Sequence, residues 1–229
     1  MPAAFARPAL SSLPKGVTLG QVRSRPDARL PTGSAPLDRL LEGGFPRGQL
    51  SEVCGAPSSG RTSLAYALLA ATTARGEIAA LVDCGDRFDP RCARGAGIEL
   101  SRLLWVRPHD ERGALRAAEI LIGTSGLGLV ILDLADGLSA LIAARFTSAW
   151  PRLAREATAS NVTLVLFSRE RLAGGFAALC LRLRGARPLW PRHALCPAVF
   201  GGISTRAEVV RAREGRAQSR EIELRHGTG

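Results

Sequence analysis

Short apolar runs alternate with helical patterns from residue 50 to residue 168. Leu50–Cys54 (LSEVC), Ile78–Cys84 (IAALVDC), Leu103–Val106 (LLWV), Leu127–Leu134 (LGLVILDL) and Val162–Phe167 (VTLVLF) are nearly continuous in hydrophobicity, not alternating. Runs of this length and kind predict strands buried on both faces. Between them, Thr62–Arg75 predicts a helix stopped by Gly76, and Gly113–Ile122 predicts a second. Leu138–Thr158 predicts a third, interrupted by Pro151. Strands alternating with helices predict an α/β fold with a mainly parallel sheet flanked by helices. After residue 176 the pattern changes to AALCLRLRG, AEVVRARE and REIELR, where apolar and charged residues alternate. That alternation predicts half-exposed, antiparallel strands at one sheet edge toward the C-terminus. The expected organisation is a Pro/Arg-rich arm over residues 1–31, a core over 32–176, and arginine-rich strands over 177–229 that complete the same domain.

Composition narrows the class. The chain has 229 residues, 46% apolar and 22% charged, enough to bury a core without disulfides or a structural metal. Its five cysteines, Cys54, Cys84, Cys92, Cys180 and Cys196, include no C-x-x-C pair and read as small buried hydrophobes. Asp133 and Asp136 cut the longest apolar stretch, so no membrane span is predicted, and the N-terminus lacks the apolar core of a secretory signal. The expected compartment is the cytoplasm. Net charge is +11, and Lys15 is the only lysine, against 30 arginines. Residues 169–229 carry +7 of that excess. A nucleic-acid partner would account for it, and so would an arginine-rich proteome. Arg182 and Arg184 alternate with Leu181 and Leu183 and so share one strand face. With Arg187, Arg211, Arg213 and Arg216 they are the DNA-binding candidates. Trp190 heads the one aromatic and basic cluster, with Pro191, Arg192 and His193, and reads first as core or partner surface. His109, His193 and His226 show no ligand spacing.

The strongest motif follows the first strand. Gly55-Ala56-Pro57-Ser58-Ser59-Gly60-Arg61-Thr62-Ser63 has the G-x-x-x-x-G-K-[ST] spacing of a phosphate-binding loop, with arginine in the lysine position. Glycines let the backbone wrap a phosphate while N–H groups and the helix N-terminus point at the anion. Gly55, Ser58, Ser59, Gly60, Arg61, Thr62 and Ser63 are thus the candidate nucleotide-binding residues. Thr62 occupies the Mg²⁺-ligating position. The guanidinium of Arg61 is a bulky fork where a compact ammonium normally reaches the phosphates, so binding is expected to survive better than hydrolysis. Leu129–Asp133 supplies the buried, aspartate-ended strand that completes a metal shell. Asp133 reads either as that ligand or as a cap on the following helix.

These residues carry a family resemblance. Leu30–Asp38 (LPTGSAPLD), Gly43–Val53 (GGFPRGQLSEV) and the GAPSSGRTS loop resemble the core of the RecA recombinase family. Val82-Asp83, Phe88-Asp89-Pro90, Arg94, Gly97, Leu103 and the VILDL strand continue the similarity over residues 30–168. The resemblance implies a RecA-like P-loop core, with ATP and Mg²⁺ as cofactors. It also implies a water-activating glutamate after the second main strand, where this chain has Gly85, with Asp86 one position along as a candidate substitute. It implies an asparagine-glutamine γ-phosphate sensor where this chain has Ser168-Arg169.

Three departures at three chemical positions point to a degenerate ATPase. Little sequence is left for the family's two DNA loops, and neither its long N-terminal polymerisation helix nor its C-terminal domain is apparent. Among RecA relatives the chain most resembles the ImuA subfamily of translesion-synthesis accessory proteins. That resemblance implies a role in the SOS response to DNA damage and in mutagenesis, with DNA, an ImuB-type polymerase-like partner and RecA recombinase as contacts. The alternative is a DNA-stimulated ATPase in which Arg61 and Asp86 have rebuilt the site.

Overall fold

The structure is a computed structural model, and it describes residues 28–134, 147–190, 201–212 and 218–225. Ten strands and five helices are described: β1 (Arg29–Leu30), α1 (Ala35–Leu40), β2 (Phe45–Pro46), β3 (Leu50–Gly55), α2 (Arg61–Ala74), β4 (Ile78–Asp83), α3 (Pro90–Gly95), β5 (Leu103–Val106), α4 (Glu111–Ile122), β6 (Leu127–Asp133), α5 (Ala149–Ser160), β7 (Thr163–Ser168), β8 (Leu179–Leu189), β9 (Gly202–Ala212) and β10 (Ser219–Arg225). Eight strands form one sheet in the order β10-β9-β8-β3-β7-β6-β4-β5, and β1 and β2 pair separately. The run from β8 to β5 is parallel throughout. β9 and β10 extend it antiparallel.

The predicted α/β architecture with its antiparallel C-terminal edge is therefore present. β3 and β7 are buried at every residue, as the unbroken apolar runs require. Apolar layers cover both faces of the sheet. One contains Leu64, Leu68 and Leu69 of α2 with Ile222 and Leu224 of β10. The other contains Ala114, Ala118 and Ile122 of α4 with Trp150, Leu153 and Ala157 of α5. Asp110 caps α4 by accepting from Gly113 N at 2.6 Å, and Asp89 caps α3 through Arg91 N at 2.8 Å.

The structure differs from the sequence pattern at three points. β8 is parallel to β3, and Leu179–Leu181 are buried, so β8 is an interior strand and antiparallel pairing starts only at β9. Pro151 does not interrupt a helix: it falls in the first turn of α5, where its missing N–H has no intrahelical acceptor to lose. The earlier part of the Leu138–Thr158 prediction lies outside the described residues. The cysteines divide, with Cys54 and Cys180 buried and Cys92 exposed, its thiol donating to Asp89 Oδ2 at 3.1 Å. Cys196 lies outside the described residues, as does most of the 1–31 arm. The last arm residues are anchored, since Leu30 is buried and pairs with Phe45. Among the described residues, no helix is long and apolar enough to cross a membrane.

Candidate functional site

The loop between β3 and α2 has the geometry its spacing predicts. Ser59 N donates to Ala56 O at 3.1 Å, closing a turn, and Gly60 adopts φ 98° immediately before the first helical residue. Gly55 is a position of close approach: a Cβ there would stand 2.4 Å from Ser59 Oγ and 2.7 Å from Leu183 O. Thr205 of β9 fixes the loop from below, its hydroxyl placed 2.8 Å from Ser59 O and 3.1 Å from Arg184 O.

Above the loop lies a cleft of about 500 Å³, lined by Gly55–Ser59, by Leu183, Gly185 and Ala186, and by Arg169, Arg182 and Arg184. Three of the lining residues are arginines, of which Arg184 also lies 3.5 Å from Glu208 Oε2 through its Nε. Ser59 is 4% exposed, and its Oγ has no hydrogen-bond partner among the described residues. Thr62 is exposed on the first turn of α2 and Ser63 is buried. Asp133 ends β6 at the same, C-terminal edge of the sheet, in register with Asp83 on β4 and Phe167 on β7. A phosphate fits these features, since the glycine cradle, the open helix N-terminus and the orphaned Ser59 hydroxyl all suit an anion. A metal ion alone does not, because the described residues contain no group of three His, Cys, Asp or Glu able to hold one.

Asp86 is not brought to the loop. It sits at φ 48°, exposed, with Oδ1 3.6 Å from Arg107 Nη1. Arg107 in turn stacks 4.8 Å over the Trp105 ring of β5, the outermost strand. The sequence singled out Asp86 from its place in the chain, but a one-residue shift at a strand end redirects the side chain. Arg169, at the sensor position, does line the cleft. Among the basic candidates, Arg182, Arg184 and Arg187 lie along β8. Arg211 turns away, its Nη1 donating to Gly174 O at 3.0 Å. Arg213 and Arg216 lie outside the described residues. Trp190 is 55% exposed, which removes the reading of it as core.

Sequence reasoning missed the polar support beneath the cleft. Glu52 is fully buried in β3, and its Oε1 accepts from Leu172 N and from Ala173 N, the latter at 3.1 Å. The carboxylate thus fixes the segment that carries Arg169. Burial pushes the Glu52 carboxyl above its usual range despite those two bonds. Two residues on, a hydrogen bond from Cys180 brings the Cys54 thiol down to about 7; burial opposes this and Arg182 reinforces it. The one signal available was a glutamate inside an otherwise buried strand.

Comparison with known proteins agrees with this geometry. The sequence profile described as the RecA N-terminal domain matches residues 14–145, more than half of the chain. The chain belongs to the RecA family. A RecA protein of Chlorobaculum parvum is 42% identical over 103 residues, covering 44% of this chain and 30% of that protein. RecA of Chlorobium limicola is 37% identical over 130 residues, covering 56% and 36% respectively. RecA of a Picosynechococcus strain is 32% identical over 115 residues, covering 50% and 33%. The chain spans about a third of the length of these RecA relatives.

Proposed function

We propose that the chain is a RecA-like accessory protein of DNA repair, of the ImuA type. In this reading it acts in SOS-linked, error-prone translesion synthesis in the cytoplasm, through contacts with DNA, an ImuB-type polymerase-like partner and RecA recombinase, with little or no ATP hydrolysis. The observation that carries the reading is a RecA core kept intact around a phosphate loop whose hydrolytic groups are replaced. Arg61 stands for lysine, Gly85 for the glutamate base, and Ser168-Arg169 for the sensor pair. Asp86 pairs with Arg107 at the opposite edge of the sheet.

In this proposal ATP with Mg²⁺ would lie along Gly55–Ser63, with Thr62 and Asp133 toward the metal. The loop binds and orients the phosphates, and among the described residues lining the cleft there is no carboxylate or imidazole to act as a base for water. The test is phosphate release by the full chain, with and without single-stranded DNA, beside Arg61→Lys. No turnover in either form is expected, together with capture of a polymerase-like partner and loss of damage-induced mutation on deletion.

A second reading is favoured by one feature, the glycine cradle kept between β3 and α2. It is a DNA-stimulated ATPase with a rebuilt site. Turnover abolished by Arg61→Ala would select it and sink the first.

A further inference from the structure

We propose that Cys54 and Cys180 are a redox pair that closes a reversible disulfide between β3 and β8, directly beneath the phosphate loop. The crosslink goes beyond the preceding reading, while its effect on the cleft, a control of phosphate binding, rests on that reading.

Strand pairing brings the two thiols together. β3 and β8 run parallel with Glu52 opposite Cys180 and Cys54 opposite Arg182, so the cysteines are diagonal neighbours. Their strand neighbours Val53 and Leu181 belong to the apolar layer of α2, which turns both cysteines to the other face of the sheet. Cys54 is 2% exposed, Cys180 is fully buried, and the Cys180 thiol hydrogen-bonds Cys54. The other described cysteines are remote: Cys84 follows β4, three strands from β3, and Cys92 is in α3.

The strands have the slack that a bond needs. Diagonal neighbours on adjacent strands stand about 7–8 Å apart at Cα and disulfides span up to about 6.8 Å, so closure draws the strands about 1 Å together. β8 supplies that movement at Cys180. There the pairing passes from Cys180↔Arg211 to Leu181↔Val209, so one step on β8 answers two on β9. Past Leu183 the pairing of β8 with β3 ends. A disulfide closed against strand geometry is strained and readily reduced, which is the property of a regulatory bond and not of a structural one.

Cys54 is the nucleophile. The hydrogen bond from Cys180 brings its thiol down to about 7, with burial opposing and Arg182 reinforcing, so thiolate is present at neutral pH. Cys180 is pushed up, chiefly by the same hydrogen bond and then by burial, and keeps its proton. A peroxide is the oxidant. The Cys54 sulfur attacks one peroxide oxygen, an S–O bond forms, the O–O bond breaks, and the released hydroxide takes a proton from solvent and leaves as water. The uncharged sulfenic acid no longer holds the Cys180 proton in place. Cys180 passes that proton to the departing hydroxyl and its sulfur attacks Cys54, forming S–S, breaking S–O and releasing a second water. Two thiols thus lose two electrons and two protons to one peroxide, and a dithiol reductant reverses the bond by exchange.

Closure is felt in the cleft. Cys54 precedes Gly55 and holds the Arg182 guanidinium by a hydrogen bond, and Gly55 and Arg182 both line the cleft. Glu208, opposite Arg182 on β9, is present in both redox states. In the disulfide the Cys54 thiolate is gone, so Arg182 is released toward a phosphate and anion binding tightens.

The test treats the folded full chain with hydrogen peroxide, blocks the remaining thiols and maps tryptic peptides. The expected product joins peptides 48–61 and 172–182 through Cys54 and Cys180, lighter by two hydrogens than their sum, and dithiothreitol separates them. Cys54→Ser and Cys180→Ser should abolish it and Cys92→Ser should not, with circular dichroism confirming each fold. A fluorescent ATP analogue with Mg²⁺, at constant ionic strength, then reads the cleft, and several-fold tighter binding is expected after oxidation, returning on reduction. The proposal is overturned if the folded chain yields no such product, if the product forms only in urea, or if oxidised and reduced protein bind the analogue with equal, measurable affinity. No binding in either state, with the crosslink formed and reversed, would instead defeat phosphate binding at the loop and leave the redox pair standing.

Discussion

At the scale of single residues, Glu52 shows how a charge is retained inside a parallel sheet. Its carboxylate accepts two backbone N–H groups from the segment after β7, and burial raises its pKa. A carboxyl whose folded pKa is raised contributes most below its unfolded value, near 4.5, and that stability is lost as pH rises through the folded value. Glu52→Gln keeps an oxygen for the same two donors and removes the titration. Chemical denaturation from pH 4.5 to 8 should therefore show wild type losing stability as pH rises and Glu52→Gln losing less. Glu52→Ala leaves both donors buried without an acceptor and should cost about 3 kcal/mol near pH 4.5 and less as pH rises, because wild type then gives up part of its own stability. A Glu52→Gln profile parallel to wild type would rule out the carboxyl as the source. The residue was legible in the sequence only as an oddity, because its partners are backbone groups about 120 positions away, and nothing in their side chains announces them.

At the scale of elements, the loop depends on β9 as much as on β3 and α2. Thr205 bonds Ser59 O and Arg184 O, and its methyl would stand 3.4 Å from a Cβ on Gly60. Thr205→Val keeps the shape but removes the one hydroxyl proton shared by Ser59 O and Arg184 O, so a loss of about 1–3 kcal/mol and weaker phosphate-dependent protection of the loop from proteolysis are expected. Gly55→Ala drives a methyl into Ser59 Oγ and Leu183 O and should cost about 1–3 kcal/mol. Thermal unfolding checks both, and wild-type stability in Gly55→Ala would mean that the turn can move aside. The strands of residues 50–168 and the helices α2 and α4 were legible because each continuous apolar run has one physical use, whereas the short α3, Pro90–Gly95, carries no such run and was not foreseen. The pairing of β8 was not. Its arginine-bearing half alternates like an edge strand, whereas Leu179–Leu181 sit against β3, and one strand carries both patterns because its pairing with β3 stops at Leu183 while β9 continues alongside to Leu189.

At the scale of the whole molecule, the fold keeps a strand, glycine loop and helix in sequence, with Arg61, Gly85 and Ser168-Arg169 at the positions where the family resemblance implies lysine, glutamate and an asparagine-glutamine pair. The site was legible in outline: the glycine loop, Asp133 and the β8 arginines fall at one edge of the sheet. The convergence of Arg169 with Arg182 and Arg184 was not, because it needs β7 and β8 to flank β3, which is a fact of topology. That topology leads to a last prediction. Hydrolysis needs a compact cation on the phosphates, a base on the water and a neutral sensor, and groups that act as a unit contribute far from additively. Arg61→Lys, Gly85→Glu and Arg169→Gln should each be silent alone, because each leaves two of the three missing. The triple variant should release phosphate from ATP at least about a hundredfold above wild type, the lower range for a positioned general base. Phosphate release by wild type equal to that of the triple variant would show that the chain has its own route to hydrolysis, and the accessory reading would give way to the ATPase.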